Sequence, residues 1–222
     1  MIKVRGRPKG SLHIIDGVYK RESVTSEELK ELFLKATLGS IYKEPDPLDF
    51  RVSRDMAILA LLALFGKRVG EVARLKMNDV EFTDEHLMVR FSVEKKRTPY
   101  IVKKPKSLNN PLVEHVRKFL MIRNECYPES EWLFPSTKLK KKHITPHRIW
   151  SIIHTINPNL WPHWFRHSLA DLMVQSGEDV IELMDWFDWD DPRVAIQYTR
   201  GGAGRRVRRM GKVDYWAKSE GR

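Results

Sequence analysis

The sequence has almost no cysteine and no apolar stretch of membrane-spanning length. Cys126 is the only cysteine among 222 residues, which excludes an intrachain disulfide framework and fits a reducing compartment. The longest apolar run, at 56–65, has ten residues, about half of the roughly 20 that a membrane helix needs. The first ten residues contain no apolar signal core. From these absences we expect a cytoplasmic protein that does not insert into a membrane.

Acidic residues are scarce relative to basic ones. The chain has 40 Lys and Arg against 29 Asp and Glu, a formal net charge of +11 and a pI of about 9.7. This excess favours an anionic polymer as partner, with nucleic acid first, although a basic protein without such a partner has the same composition. Apolar residues make up 41% of the chain, enough for the core of one good-sized domain or of a domain with a short arm.

The basic residues gather in three clusters of one sign, at 95–106, 138–148 and 204–212. We expect these clusters to follow a DNA backbone with strongly salt-dependent affinity, the alternative being a solvated surface. The segment RGRPKG at 5–10 resembles an AT-hook, whose arginines lie in a narrow minor groove; a nonspecific basic arm is favoured over it. The predicted DNA-binding residues are Arg5, Arg7, Lys96, Arg97, Lys103, Lys104, Lys140, Lys141, Lys142, Arg205 and Arg206.

Hydrophobic periodicity predicts a mainly α fold with one small antiparallel sheet. Leu87, Val89, Phe91 and Val93 alternate with mostly polar residues, as in a strand, and a second short strand, 100–102, follows a basic turn. Residues 1–24 lack periodicity and suggest a flexible arm, and 41–50 suggest a linker. Helices are predicted at 25–39, at 52–65, within 66–75, at 109–125, at 145–156, from about 162 to 177, around 180–184 and from 191.

Capping residues mark several of the helix ends. Thr25 with Glu28 forms a capping-box pattern, and Gly39 suits the end of that helix. Asn110 and Thr145 are each followed by a proline, which is favoured in the first helical turn. The expected apolar faces are Leu112, Val116, Phe119 and Leu120 in one helix and Ile149, Ile152, Ile153 and Ile156 in the next. A later, shorter helix holds Val180, Ile181, Leu183 and Met184.

Three sets of residues are candidates for chemistry, and each has a plain structural alternative. His163 and Arg166 share a helix face and together suit phosphate oxygens, but they also fit a solvated helix start. Arg68 follows a fully apolar helix and needs a partner, which Glu71 can provide; a purely structural ion pair is equally consistent. Lys95 lies on a turn that is either solvated or able to reach a phosphate.

Two aromatic residues near the carboxyl end complete the candidates. Tyr198 falls on the last predicted helix, where core packing is the alternative to chemistry. Trp189 precedes it by nine residues and is otherwise a core residue or a surface anchor.

Taken in order, these residues resemble the catalytic set of the tyrosine recombinases, the phage integrase family. The segment GKRVGEVARLKMNDV is similar to the family's first box, SVEKKRTPYIV to the hairpin that carries its lysine, and PHWFRHSLAD to its H-x-x-R-H box. The segment MDWFDWDDPRVAIQYTR resembles the last box, in which a histidine or tryptophan stands nine residues before the nucleophilic tyrosine. The match spans roughly 52–200.

The resemblance implies DNA phosphoryl transfer without metal or other cofactor, through a 3′-phosphotyrosyl intermediate on Tyr198. Arg68 and Arg166 would clamp the scissile phosphate, His163 would take the tyrosine proton, and Lys95 would protonate the departing 5′ oxygen. Lys96 is the alternative to Lys95. Trp189 would support the nucleophile, with Glu71 and His167 in supporting roles. Tyr215 and Trp186 are rivals by residue type, but their spacing fits less well.

The implied organisation is a basic N-terminal arm with a short helix at 1–50, a catalytic domain at 51–200, and a basic tail at 201–222 that suits docking on a neighbouring protomer. The implied partners are double-stranded DNA and a homotetramer on DNA. Only about fifty residues precede the first box, so either the protein is a minimal recombinase or an accessory DNA-binding protein supplies the clamp. Alternatives to an integrase or resolvase are a type IB topoisomerase-like relaxing enzyme and a catalytically idle DNA-binding protein of the same fold.

Overall fold

The protein is described by a computed structural model, which covers residues 13–15, 18–20, 26–37, 49–93, 98–139, 142–158, 160 and 162–199. The chain divides into two compact units, Met1–Leu172 and Met173–Arg222. Across the described ranges, no helix combines the length and the apolar character needed to cross a membrane.

The core of the first unit is built around helix α2, Phe50–Phe65. Asp49 caps its start, its side chain accepting from the Arg51 N–H at 2.7 Å. Gly66 ends it in the left-handed conformation, with φ 59°, and donates its N–H to the Leu62 carbonyl at 2.9 Å. Because α2 is apolar on almost every side, it is buried along nearly its whole length.

Four further helices of this unit surround or follow α2. They are α1 at Ser26–Thr37, the short α3 at Val69–Ala73, α4 at Leu112–Cys126 and α5 at Pro146–Ile156. Aromatic contacts join α2 to α4, with 5.6 Å between the ring centroids of Phe50 and Phe119. Thr145 caps α5 by accepting from the Arg148 N–H at 3.1 Å, and Pro146 follows it, as predicted.

A three-stranded antiparallel sheet covers another side of the core. Its strands are β3 at Val80–Phe82, β4 at His86–Val93 and β5 at Tyr100–Ser107, in the order β3-β4-β5. The alternation predicted for β4 is confirmed, because Leu87, Val89, Phe91 and Val93 are all buried. The Phe91 ring packs 5.3 Å from that of Phe65 on α2.

Helix α6, His163–Ser176, begins in the first unit and ends in the second, which also contains α7 at Val180–Phe187 and α8 at Pro192–Thr199. Asp179 and Glu182 form a capping box at the start of α7. Asp188 then takes a left-handed conformation, with φ 57° and ψ 43°, and the Trp189 N–H donates to the Met184 carbonyl at 3.0 Å. This turn separates α7 from the segment that leads to α8.

The structure corrects the predicted secondary structure in several places. Residues 1–24 do not lack regular structure throughout, because β1 at His13–Ile15 pairs antiparallel with β2 at Val18–Lys20. The intervening Asp-Gly dipeptide is typical of a two-residue hairpin turn. Strand β5 runs five residues beyond Val102, because backbone pairing with β4 continues where the apolar pattern stops. The three-residue β3 was missed because it is too short to show a period.

The structure revises the predicted face of α4 and identifies the buried face of α7. In α4 the buried residues are Val113, Val116, Phe119, Ile122 and Arg123, whereas Leu112 and Leu120 lie at the edge of the buried stripe. In α7 Ile181 is 75% exposed, and the buried face consists of Leu183 and Phe187. The capping partners proposed at Thr25 and Gly39 lie outside the described residues.

Arg123 is the largest fully buried side chain of the first unit, and it fixes the loop after α4. Its guanidinium donates to the carbonyls of Ser130 and Trp132. We expect Arg123→Met to keep the side-chain length but to leave these two carbonyls without their donor, lowering the free energy of unfolding by about 2–4 kcal/mol. Chemical denaturation measures this loss. Lys118→Met on the same helix is the matched control, with an expected change below about 0.5 kcal/mol; equal losses in both variants would contradict the role of Arg123.

Candidate active site

The turn between α2 and α3 presents Arg68 together with its carboxylate partner. Arg68 precedes α3, and its backbone N–H donates to Glu71 Oε2 at 3.0 Å while its Nη1 donates to Glu71 Oε1 at 2.9 Å. Glu71 is buried. One carboxylate thus holds both the backbone and the guanidinium of Arg68. The Arg68–Glu71 pair predicted from their spacing is therefore present.

The start of α6 meets the same turn. His163 and Arg166 lie in its first turn, and Arg166 Nη1 donates to the Gly66 carbonyl at 2.9 Å. Arg166 is only 4% exposed, so its charge lies in the protein interior and depends on such contacts. This hydrogen bond connects residues 100 positions apart and brings the predicted phosphate-binding arginines to one turn of the chain.

A cavity of about 530 Å³ opens beside this turn. His163 and Arg68 both line it, whereas Arg166 does not. The remaining wall is formed by Lys67, Val69, Gly70, Glu71, Arg74, Pro146, Trp150 and Pro162. Of all ten lining residues, Lys67, Arg68 and Arg74 are basic and only Glu71 is acidic, so the cavity suits an anion. His167 is half-buried, with its ring centroid 6.2 Å from that of His163.

In the second unit Trp189 and Tyr198 stack on each other. Their ring centroids are 5.4 Å apart and their planes differ by 10°. Trp189 also stacks on Phe187, with the ring centroids 4.7 Å apart and the planes differing by 24°. Tyr198 lies on α8 and is 3% exposed. The nine-residue spacing noted in the sequence thus corresponds to a direct ring contact.

The family model described as "Phage integrase family" matches residues 29–203, most of the chain. The chain belongs to the phage integrase family. This membership confirms the resemblance drawn from the four sequence boxes, and the match includes Arg68, His163, Arg166, Trp189 and Tyr198.

Individual members of the phage integrase family show the same likeness. Tyrosine recombinase XerA of Pyrococcus furiosus is 30% identical over 165 residues, which cover 72% of this chain and 50% of that protein. The putative prophage phiRv2 integrase of Mycobacterium tuberculosis is 25% identical over 205 residues, covering 85% of this chain and 49% of the relative. The chain therefore spans about half the length of the curated relatives it matches.

Solved structures of the family share the fold. The crystal structure of XerA recombinase superposes with a TM-score of 0.61 at 21% identity, covering 86% of this chain and 64% of that one. XerH site-specific recombinase bound to its difH substrate, in a pre-cleavage complex, gives a TM-score of 0.64 at 18% identity, covering 88% and 54%. The predicted fold class, mainly α with a small antiparallel sheet and a tyrosine recombinase catalytic core, is confirmed.

The predicted basic residues of this integrase-family chain do not form one uniform surface. Lys103 is exposed and pairs with Glu81 at 2.9 Å, and Lys142 is also exposed. Lys104, by contrast, is 7% exposed, so its prediction as a DNA contact is not supported by its position. The other predicted DNA-binding residues lie outside the described residues, and so do both candidate catalytic lysines, Lys95 and Lys96.

Strand alternation explains the burial of Lys104. Lys104 pairs with the buried Val89, and Lys106 pairs with the buried Leu87, so both lysines occupy the core-facing side of β5. Burial lowers the pKa of Lys106 from its ordinary 10.5 to about 8. The basic cluster was predicted to form a single surface. In a strand, however, alternate residues lie on opposite faces of the sheet, so the lysines of β5 are divided between the two faces.

Among the residues that line the cavity, Arg74 and Trp150 were not predicted from the sequence. Arg74 ends α3, six residues after Arg68. Trp150 lies on the outer face of α5, between His147 and His154, with ring centroids 5.8 and 4.7 Å away. The sequence did contain a signal for Trp150, because the four isoleucines of α5 define its buried face and the tryptophan falls on the opposite one. The Trp150 side chain is accordingly 41% exposed.

The lowered pKa of Lys106 predicts a rise in stability at alkaline pH. Between about pH 8 and 10.5 the unfolded chain binds a proton at this lysine that the folded chain has released, so the free energy of unfolding increases with pH across that window. Below about pH 8, Lys106 is protonated in the folded and the unfolded chain, and its ammonium group then lowers the free energy of unfolding by the full amount. Urea denaturation at a series of pH values measures the slope.

The matched variants for this prediction are Lys106→Met and Lys103→Met. We expect Lys106→Met to be more stable than the parent at pH 7 and to lack the alkaline rise. Lys103→Met, on the outer face of the same strand, should keep it. A parent profile that is flat from pH 8 to 10.5 would contradict the assignment.

Proposed function

We propose that this chain is a site-specific DNA recombinase of the integrase or resolvase type, which cuts and rejoins DNA through a 3′-phosphotyrosyl intermediate without a metal ion. The observation that carries this proposal is the meeting of three predicted residues at one turn. Arg68 and His163 line a single cavity, and Arg166 bonds to the carbonyl two residues before Arg68. Family membership supports the same chemistry.

In this proposal the arginines stabilise the charge that develops on the nonbridging oxygens of the scissile phosphate. Glu71 engages one arm of Arg68, which fixes the guanidinium while its other nitrogens stay available to phosphate. Arg166 is held in the interior close to the same turn. Charged donors fixed before the reaction contribute more than mobile ones, because they need not reorganise as the charge appears.

The proposed covalent step is an exchange of phosphate esters. The Tyr198 oxygen forms a bond to phosphorus while the bond from phosphorus to the 5′ oxygen breaks. The phenol proton passes to His163, and Lys95 donates a proton to the departing 5′ oxygen. Rejoining is the reverse reaction with a 5′ hydroxyl of the other strand, so the ester bond energy is retained and neither an external energy source nor an oxidant is needed. Trp189, stacked on Tyr198, positions the nucleophile.

The remaining predictions complete this proposal. Double-stranded DNA is the substrate, bound by the exposed basic residues with an affinity that falls steeply with salt. Strand exchange takes place in a homotetramer on two duplexes, with an accessory protein as a further DNA-binding partner. We place the reaction in the cytoplasm, on DNA of a mobile genetic element.

The nucleophile is tested by trapping the covalent intermediate. A pool of duplexes with a randomised core and a nick near its centre is incubated with the protein in EDTA. Because a cleaved short strand diffuses away, adducts accumulate and resist denaturation by detergent. We expect adducts with the parent protein and at least 1,000-fold fewer with Tyr198→Phe, which keeps the ring but lacks the attacking oxygen. Sequencing the captured strands identifies the cleavage site.

Tyr215→Phe is the matched control, because it removes the same oxygen from the rival tyrosine and should leave the yield unchanged. Absence of adducts with every protein, despite DNA binding, would favour the idle DNA-binding alternative. Protein assembly on the captured site separates the other two functions. Recombination requires four protomers on two duplexes, whereas a relaxing enzyme acts as a monomer on one.

The leaving-group acid is tested with a sulfur substitution in the DNA. We expect Lys95→Ala to slow cleavage of the captured site by about 100- to 10,000-fold, the usual range for general acid catalysis. Replacing the bridging 5′ oxygen by sulfur should restore the rate, because a thiolate is a stable leaving group without a proton. Single-turnover adduct formation measures both rates.

Lys96→Ala serves as the paired variant. Lys96→Ala should cleave the normal duplex at close to the parental rate. The sulfur substitution should change its cleavage rate no more than it changes that of the parent. If Lys96→Ala is instead the variant that sulfur rescues, the neighbouring lysine is the acid. Rescue of neither variant would show that no lysine of this turn protonates the leaving oxygen.

A further inference from the structure

The cavity presents a guanidinium to which the proposed chemistry assigns no role. Arg74 lines it together with Arg68, His163 and Trp150, and it is half-buried. Arg166, although central to the proposal, does not line the cavity. Arg68 and Arg74 are therefore the two arginines among the described lining residues.

The Arg74 guanidinium lies beside Gly70. A methyl group built on Gly70 would lie 3.4 Å from Arg74 Nη1 and 3.7 Å from its Nη2, so the guanidinium extends back along α3 over the one residue without a side chain. Gly70 also lines the cavity. The planar group is thus directed toward Arg68 along the cavity wall.

The surroundings favour a phosphate over other ligands. Lys67 also lines the cavity, but it is 2% exposed and its Nζ lies 5.5 Å from the Phe91 ring, so its charge is directed toward the sheet. Pro146, Trp150 and Pro162 add an apolar wall to the cavity. A guanidinium in such a setting binds phosphate oxygens through two parallel hydrogen bonds, with little loss of side-chain freedom.

The spacing of the two arginines suits consecutive phosphates of one strand. Arg68 and Arg74 stand at the two ends of α3, six residues apart, which corresponds to roughly 9 Å along a helix. The Arg74 side chain extends back from its end of α3, as its position over Gly70 shows. Two phosphates separated by one nucleotide can therefore be bound simultaneously, one by each guanidinium.

We propose that Arg74 binds the DNA backbone phosphate next to the scissile one, so that the cavity holds two consecutive phosphates of the cleaved strand. This proposal rests on the function proposed above. It makes Arg74 a positioning residue: it fixes the strand on one side of the scissile phosphate, and the scissile phosphate itself is contacted by Arg68.

The first test measures binding and does not require cleavage. Fluorescence anisotropy with a labelled 30-base-pair duplex gives the affinity of the parent and of Arg74→Gln at several salt concentrations. Each phosphate contact contributes about 0.9 to the slope of log affinity against log salt. We expect the slope to fall by about one in Arg74→Gln and to be retained in Arg74→Lys, which keeps the charge. Arg117→Gln, a surface change on α4 outside the cavity, should leave it unchanged.

The second test locates the contact on the captured cleavage site. We expect Arg74→Gln to slow adduct formation by tenfold or more. A neutral methylphosphonate at the phosphate flanking the scissile one should slow the parent to the same extent but slow Arg74→Gln no further, because the contact is already lost. A neutral group two or more phosphates away should slow both proteins equally.

The outcomes separate this inference from the function on which it rests. If the parent binds DNA but forms no adduct, the proposed function fails, while a reduced salt slope in Arg74→Gln would still support the phosphate contact. If the parent forms adducts and Arg74→Gln matches it in both slope and rate, the inference is overturned. Should thermal melting show that Arg74→Gln is unfolded, the parent protein alone keeps the inference testable, because a methylphosphonate at the flanking phosphate should still slow its adduct formation tenfold or more; an unchanged parental rate on that substrate would overturn the inference.

Discussion

The hydrogen bond from Arg166 to the Gly66 carbonyl is the contact on which the candidate site depends. Gly66 ends α2 in a left-handed conformation, which turns the chain toward Arg68. Arg166 is almost fully buried, and a charged donor in the interior contributes about 1.5–3 kcal/mol through such a bond. The same bond fixes the start of α6 against the turn. Because His163 lies one helical turn before Arg166, its place at the cavity follows from this contact.

Much of the fold could be predicted because its elements carry local signals. Thr145 followed by Pro146 marks the start of α5, and the four isoleucines of that helix are all buried, as their spacing indicated. The alternation of β4 is equally clear. What escaped prediction depends on pairing at a distance: β5 continues past Val102 because β4 provides hydrogen-bond partners. The strand β3 has only three residues, too few for a pattern to emerge.

The candidate site was predictable to the extent that its residues lie in recognisable motifs. Arg68 and Glu71 are three apart, so their contact follows from the spacing of a capping box at the start of α3. The meeting of Arg166 with the turn that carries Arg68 has no local signal, and that the two arginines act together was expected only through the family resemblance. Arg74 was not found, because an arginine at the end of a short helix is ordinary in sequence and gains meaning from the cavity it lines. Lys104 shows the converse error, in which a charged cluster was read without the period of the strand that carries it.

The turn at Asp188 limits how this region can change during evolution. A non-glycine residue in the left-handed region costs about 1–2 kcal/mol unless its side chain is short and polar, as that of aspartate is. Glycine and asparagine tolerate the same backbone, whereas branched and bulky residues do not. Substitutions at position 188, immediately before Trp189, are thus limited to a few residue types: aspartate, asparagine and glycine. In sequence comparisons, the residue at position 188 can therefore serve as a marker of an intact last box, independently of Tyr198.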